Sequence, residues 1–295
     1  MLYNASVHWL LLTLLAIVSR AVFGPANKIL TNYVSVSPIM LSALFSLATM
    51  VLAIIASPLL GGFSLDGLGQ AWPTMLAITV VLAAGGILFF MGQTQLDVGT
   101  TQIALSSILI WSVILSVIFL GSSFSLVQGI GIVLLIAAIA GAQYRKGKRK
   151  ISPAIAYILI TAALFAAFQV LSAVVSKHLT VATYIVLAYG GSLLLTILLY
   201  GKRLYAELPQ LAKHHPARVI GPLLLTNGTY LFYLVFAYYA YQSAPDPGVV
   251  VVLITTQVVL GVILGAIFLK EREYLIRKLA AGALAVVAGI LIQSS

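Results

Sequence analysis

The chain has 295 residues, of which 62% are hydrophobic and 7% charged, and its formal net charge is +10. A soluble domain carries about 25% charged residues, so no single water-bathed core buries this much apolar sequence, and the solvent of the fold is lipid. The lysines and arginines sit in short clusters between apolar runs, which excludes nucleic acid as the partner they serve, and the absence of cysteine excludes disulfides and thiolate metal sites.

A bilayer-crossing helix needs roughly 20 mostly apolar residues. On that rule the sequence predicts an all-α integral membrane protein of about ten transmembrane helices. In the first half they fall near 9–31, 38–60, 72–92, 100–120 and 124–143. In the second half they fall near 153–176, 181–200, 219–241, 248–269 and 275–293. The first run has no basic leader before it and reads as a retained span, not a cleaved signal. Pro38, Pro73, Pro153 and Pro247 stand where helices are expected to begin, and Pro25 and Pro222 where they would kink. The pairs Gly61-Gly62, Gly85-Gly86 and Gly190-Gly191 suit close helix packing, as do Gly261 and Gly265, which serve packing within the chain or a dimer contact. A monomer or a homodimer is therefore expected.

The chain is written twice. Asp97 and Gly99 recur 149 positions later as Asp246 and Gly248, Phe119-Leu120 as Phe268-Leu269, and Lys28 as Lys177. Internal repeats of this kind are a common plan for transporters. The expected division is residues 1–144 and 153–295 as two five-helix repeats, joined by a basic cytoplasmic linker at 145–152. Bases concentrate in alternate loops (Arg145 to Lys150, Lys202 to Arg218, Lys270 to Lys278), and the opposite side holds only Lys177. Under the positive-inside rule the rich loops are cytoplasmic and both chain ends lie outside the plasma or inner membrane. Each half has an odd number of spans, so the second half is inverted relative to the first. The connection at 201–216 places Leu204, Leu208 and Leu211 on one face and predicts a short helix lying on the membrane, with anionic lipids as neighbours. His214-His215 within it has no carboxylate companion at ligand spacing and reads as a solvated basic loop.

Arg20 falls at the midpoint of the first span, where a charge costs ~2.5–3.5 kcal/mol on insertion scales. No Asp or Glu lies in any predicted span core. Arg20 therefore either faces a wet cavity and pairs with a substrate carboxylate or phosphate, or bonds backbone carbonyls and water at a helix break. Ala16, Arg20, Phe23 and Asn27 share one face of the first span, and the repeat turns them into Phe165, Gln169, Ser172 and Ser176 on one face of the sixth. Two equivalent helices thus carry a polar stripe that lines a common pathway or glues helices together. In the eighth span Asn227, Tyr230, Tyr238 and Tyr241 share a face, with Tyr233 and Tyr239 pointing elsewhere. Asn227 and Tyr230 lie deep and are the better candidates for an aromatic wall opposite Arg20, suited to an amino acid or another flat organic anion. Gln102 with Ser106, and Thr256 with Gln257, are lesser pathway candidates. Lys28 and Lys177 end equivalent helices as interfacial anchors or as bases at the mouth of the pathway. Asp97 and Asp246 are expected to cap helix N-termini instead of carrying protons.

Ten short spans and a second half ending Phe268-Leu269-Lys270-Glu271-Arg272, followed by Gly282 and Gly289, resemble the drug/metabolite transporter superfamily, specifically its EamA-type domain pair. The first half is similar through Lys28, Asp97, Gly99 and Phe119-Leu120-Gly121. The resemblance implies a carrier with a central cavity and alternating access for small molecules, within a family that moves amino acids, nucleotide sugars, organic phosphates and drugs. The absence of a buried carboxylate favours a facilitator or exchanger. No phosphate-binding Gly-x-x-x-x-Gly-Lys, His-Glu-x-x-His or nucleophile–base pair argues for an enzyme or a cofactor. The competing reading is a non-transporting membrane scaffold or lipid-binding subunit.

Overall fold

In lipid a backbone N–H or C=O has no water to bond, so each long apolar run closes its own hydrogen bonds as a helix. The computed structural model describes residues 2–111, 114–115, 125–143, 152–175, 178–213, 215–244, 250, 253–254, 256–270 and 273–293. Its helices are α1 (Leu2–Tyr33), α2 (Pro38–Ala56), α3 (Leu68–Gln93), α4 (Val98–Leu105), α5 (Leu126–Gln143), α6 (Pro153–Val175), α7 (Val181–Ala212), α8 (Pro216–Ser243), α9 (Gln257–Phe268) and α10 (Leu275–Gln293). Among the described residues there is no strand. Among the described residues seven helices are long and apolar enough to cross a membrane, namely α1, α2, α3, α6, α7, α8 and α10. The expected fourth, fifth and ninth spans appear as shorter apolar helices, Val98–Trp111, Leu126–Gly141 and Gln257–Phe268, each beside a segment outside the described residues. Outward faces carry large apolar side chains such as Ile55 and Leu198, 69% and 72% exposed, as a lipid-facing surface requires.

Helix starts follow their capping residues. Ser37 precedes Pro38 and accepts from the Met40 N–H, Thr180 accepts from the Thr183 N–H, and Asp97 accepts from the Thr100 N–H at 2.8 Å. Pro73 does not start α3, which begins five residues earlier, after Gly67. Gly67 has φ 80°, and a Cβ there would stand 2.6 Å from the His178 carbonyl oxygen, so the tight start is reserved for glycine. Gly61 and Gly62 likewise have positive φ and form a turn, where close helix packing was expected. Pro247 and the Phe119-Leu120-Gly121, Arg145–Lys150 and Glu271-Arg272 segments lie outside the described residues.

Residues 201–212 of the 201–216 connection are helical, but they continue α7 across a kink at Tyr200 (φ −126°, ψ 16°). Leu204 is buried against Ile39, Met40 and Ala43, whereas Leu208 stays exposed. Its polar face holds the α1–α2 turn: Glu207 Oε2 accepts from the Ser37 N–H at 2.9 Å, and Gln210 Nε2 donates to the Ser35 carbonyl at 2.6 Å. This segment grips its own chain where a lipid-lying helix was expected.

At that same end Lys28 Nζ donates to the carbonyls of Gln93 and Leu96, at 2.9 and 2.7 Å, and so ties the end of α1 to the α3–α4 junction. At the opposite end of α3 the α2–α3 connection meets the α6–α7 connection. Thr180 Oγ1 donates there to the Gly62 carbonyl, and the Ser64 N–H donates to Thr183 Oγ1. The C-termini of α1 and α6 therefore lie at opposite ends of the fold. α1 packs chiefly along α8 and α3 along α6, while α2 meets α7, α4 meets α9 and α5 meets α10. Close approach of α3 and α6 rests on two glycines. A Cβ at Gly85 would stand 3.0 Å from the Phe165 ring, and one at Gly92 would stand 2.5 Å from Ile158 Cδ1.

Candidate functional site

Ala16, Arg20, Phe23 and Asn27 are all buried, so the polar face of α1 points inward. Arg20 is 7% exposed. Its guanidinium carbon sits 5.0 Å from the Phe23 ring centroid, 5.7 Å from Tyr230 and 5.0 Å from Tyr233. At these distances the ring quadrupoles attract the charge, by up to about 2 kcal/mol for a desolvated pair. Neither ion pair among the described residues involves Arg20. Tyr233 belongs to this cage, against the expectation that it points elsewhere; α1 lies along α8, and residues three apart share the facing side.

Arg20 lies between two narrow cavities and lines both. The first is aromatic, walled by Phe23, Phe45, Phe89, Phe90, Tyr189 and Tyr230. Its rings meet mostly edge to face or tilted, Phe45 and Tyr230 at 5.1 Å and Phe89 and Phe90 at 5.5 Å, and the Tyr189 hydroxyl donates to that of Tyr230 at 2.8 Å. Ser42 and Ser46 on α2 add two hydroxyls to this wall; Gly86 faces Ser42 so closely that a Cβ would stand 2.7 Å from its hydroxyl oxygen.

The second cavity is polar on one side. Eight of its ten described lining residues form four pairs 149 positions apart: Arg20 with Gln169, Leu105 with Ile254, Ile108 with Gln257, and Leu109 with Val258. Ser106 and Tyr233 complete it. Gln257 Nε2 donates to Gln102 Oε1 at 3.1 Å, which crosses from α9 to α4 and fixes the amide. Gln257 is 7% exposed, and its Oε1 has no partner among the described residues.

Residues 7–143 match the EamA-like transporter family. That family lies within the drug/metabolite transporter superfamily. The protein is thus a multi-pass membrane protein with an EamA-like transporter region. A solved structure described as "Crystal structure of protein" is similar over 97% of this chain and 96% of its own, with TM-score 0.61 and 15% sequence identity, so the two share a fold. No curated protein matches the chain.

Several residues singled out in the sequence lie away from the Arg20 cavities. Asn227 accepts from Thr49 Oγ1 at 2.6 Å and donates to the Leu223 carbonyl, joining α8 to α2. Ser172 bonds the Phe168 carbonyl and the Tyr184 hydroxyl. Lys28 closes the end of α3, as described above. Asn27 is buried, lines neither cavity, and has both amide atoms without a partner among the described residues. Lys177, Ser176 and Asp246 lie outside the described residues, as does the Tyr241 side chain. Asp97 is more than a cap. Its Oδ1 lies 3.0 Å from Nζ of Lys278, a base counted among the cytoplasmic loops but buried at the start of α10. Burial pushes the Asp97 carboxyl up, but the Thr100 N–H and the Lys278 charge outweigh it and hold the group below its ordinary value. The cavity aromatics Tyr189, Phe45, Phe89 and Phe90 carried no sequence signal, since an aromatic in an apolar run reads equally as core, lipid face or cavity wall.

Proposed function

We propose that the protein is a ten-helix secondary carrier of small organic anions, amino acids included, built from two inverted five-helix repeats. It works by alternating access in the plasma or inner membrane, with the basic loops cytoplasmic and both termini outside. Arg20 is the anion anchor, and the aromatic cavity takes the apolar part of the substrate. The observation that carries this reading is a buried arginine, caged by three rings and facing two cavities, with no acidic partner among the described residues. An anion fitting between the cavities meets a buried, preorganised fork.

Two further observations support the repeat. The pairings α1 with α8 and α3 with α6 exchange when the halves are exchanged, and the remaining pairings join equivalent helices. The four residue pairs lining the second cavity support a position on the pseudo-two-fold axis, where inverted-repeat carriers hold substrate. The test is counterflow in proteoliposomes loaded with a cell metabolite extract, with release followed by mass spectrometry, comparing wild type with Arg20→Gln. Anionic metabolites should leave wild-type vesicles and fall roughly tenfold to a hundredfold in the variant, the worth of a charge-assisted hydrogen bond. Release that ignores Arg20 removes the anchor from the site. No release of any solute replaces the carrier by a membrane scaffold.

A further inference from the structure

The on-axis cavity is where the two halves differ in chemistry while agreeing in shape. The 149-residue offset sets Arg20 against Gln169 and Gln257 against Ile108 among its lining residues. The amide of Gln257 is held through its nitrogen by Gln102 and presents a buried oxygen with no partner among the described residues. A buried carbonyl oxygen left unpaired costs about 1–3 kcal/mol, so a ligand that donates to it recovers that cost.

Charge decides which donor. The described walls of both cavities contain one cation, Arg20, and no carboxylate. A monoanion brings the site to neutrality. A zwitterion adds an ammonium whose charge no wall residue compensates, and a buried uncompensated charge costs several kcal/mol. Ser106 Oγ donates to the Ile103 carbonyl at 2.5 Å, so its proton is engaged in the helix and it supplies no counter-charge.

We infer that the Gln102–Gln257 pair is a specificity subsite, and that the substrate is a monoanion bearing a neutral hydrogen-bond donor beside its acid group and an aryl or bulky apolar tail, an α-hydroxy acid in type. The acid group pairs with Arg20, the hydroxyl donates to Gln257 Oε1, and the tail enters the aromatic cavity between Phe23, Phe89 and Tyr230. This rests on the carrier reading above and narrows it, excluding amino acids as the preferred cargo.

The experiment is counterflow in proteoliposomes with three matched probes: phenylpropanoate, phenyllactate and phenylalanine. Wild type should exchange phenyllactate at least about tenfold faster than phenylpropanoate, because a site that bonds a hydroxyl rejects the analogue without one. Phenylalanine should also be slower than phenyllactate. Gln257→Met, similar in volume but with no amide oxygen, should bring the phenyllactate and phenylpropanoate rates together. Gln257→Glu, whose negative charge balances the ammonium, should move the preference toward phenylalanine, an outcome that general damage does not produce. Both variants are compared with wild type for elution and thermal unfolding in detergent. Equal wild-type rates for phenyllactate and phenylpropanoate overturn the subsite while leaving the carrier standing. So does a wild-type preference that survives in Gln257→Met. Wild-type preference for phenylalanine overturns the charge argument. If none of the three acids exchanges, the subsite is overturned, and the carrier reading stands or falls by the metabolite-extract counterflow described above.

Discussion

Replacing Lys278 by methionine removes the ammonium that faces Asp97 and keeps the apolar stem. Lys278 is 5% exposed, and the Asp97 side chain is 21% exposed at an N–O distance of 3.0 Å. Stranding one member of a buried pair costs 3–5 kcal/mol; the partial exposure of Asp97 and its retained bonds from Thr100 place this case at the low end, about 3 kcal/mol. Asp97→Asn strands the better-buried lysine and should cost at least as much. The double variant should cost less than the sum of the two by about 2 kcal/mol, because the penalty in each single variant is largely the other charge left alone. Chemical unfolding in detergent measures all three. The pH dependence separates charge from packing. A carboxyl depressed in the fold contributes stability that is fully present above its unfolded pKa of about 3.9 and is lost as pH falls through the folded value, so wild type is flat from neutral pH to about pH 5. In Lys278→Met the burial contribution gains on the hydrogen bonds and the carboxyl moves up, and a raised carboxyl binds its proton more readily in the fold. The deficit of Lys278→Met should then shrink on acidification. A deficit below about 1 kcal/mol that does not change with pH would refute the reasoning.

The remaining predictions test packing and sidedness. Gly92→Ala forces a methyl against Ile158 and to 3.1 Å from the Ala154 carbonyl oxygen, and should cost about 1–3 kcal/mol in the same unfolding assay. Gly69→Ala, with nothing near its Cβ, should be neutral or mildly stabilising. Thr49→Val leaves the fully buried Asn227 oxygen without its 2.6 Å donor; a loss of about 1–3 kcal/mol is expected, with the ratio of phenyllactate to phenylpropanoate exchange unmoved. A cysteine placed at Ser294 should react with an impermeant thiol reagent added outside intact cells. Reaction only from the cytoplasmic side reverses the orientation.

Helix positions were legible because lipid leaves few alternatives and because Pro38 and Pro153 stand where helices begin. Arg20 was legible because an arginine at the middle of a span has no ordinary explanation. What lay hidden was set by neighbours that only the fold supplies. Lys278 looked like a loop base because sequence shows its distance from the span end and not the carboxylate of Asp97 brought beside it. Lys28 looked like an anchor or a mouth residue, and the carbonyls at the α3–α4 junction that receive it are 65 and 68 positions away. Tyr233 was set aside on helical angle alone, although its long side chain reaches over an α1 face wider than one stripe. Asn227 shared its face with Tyr230, but Thr49 on another helix claimed its oxygen.

The glycines of α3 also fix how the helices can move against each other. Gly85 receives Phe165 and Gly92 receives Ile158, so two notches seven residues apart take two knobs seven residues apart on an antiparallel partner. Such a pair works like a vernier. Sliding α6 along α3 unseats both knobs at once, and the first displacement that brings a knob back to a notch is about 10 Å, seven helical rises. Small shears between these two helices are thus blocked by geometry, although they come from opposite halves of the chain. They form one rigid strut, and any rocking that opens the Arg20 cavities must be taken up at the helices around it.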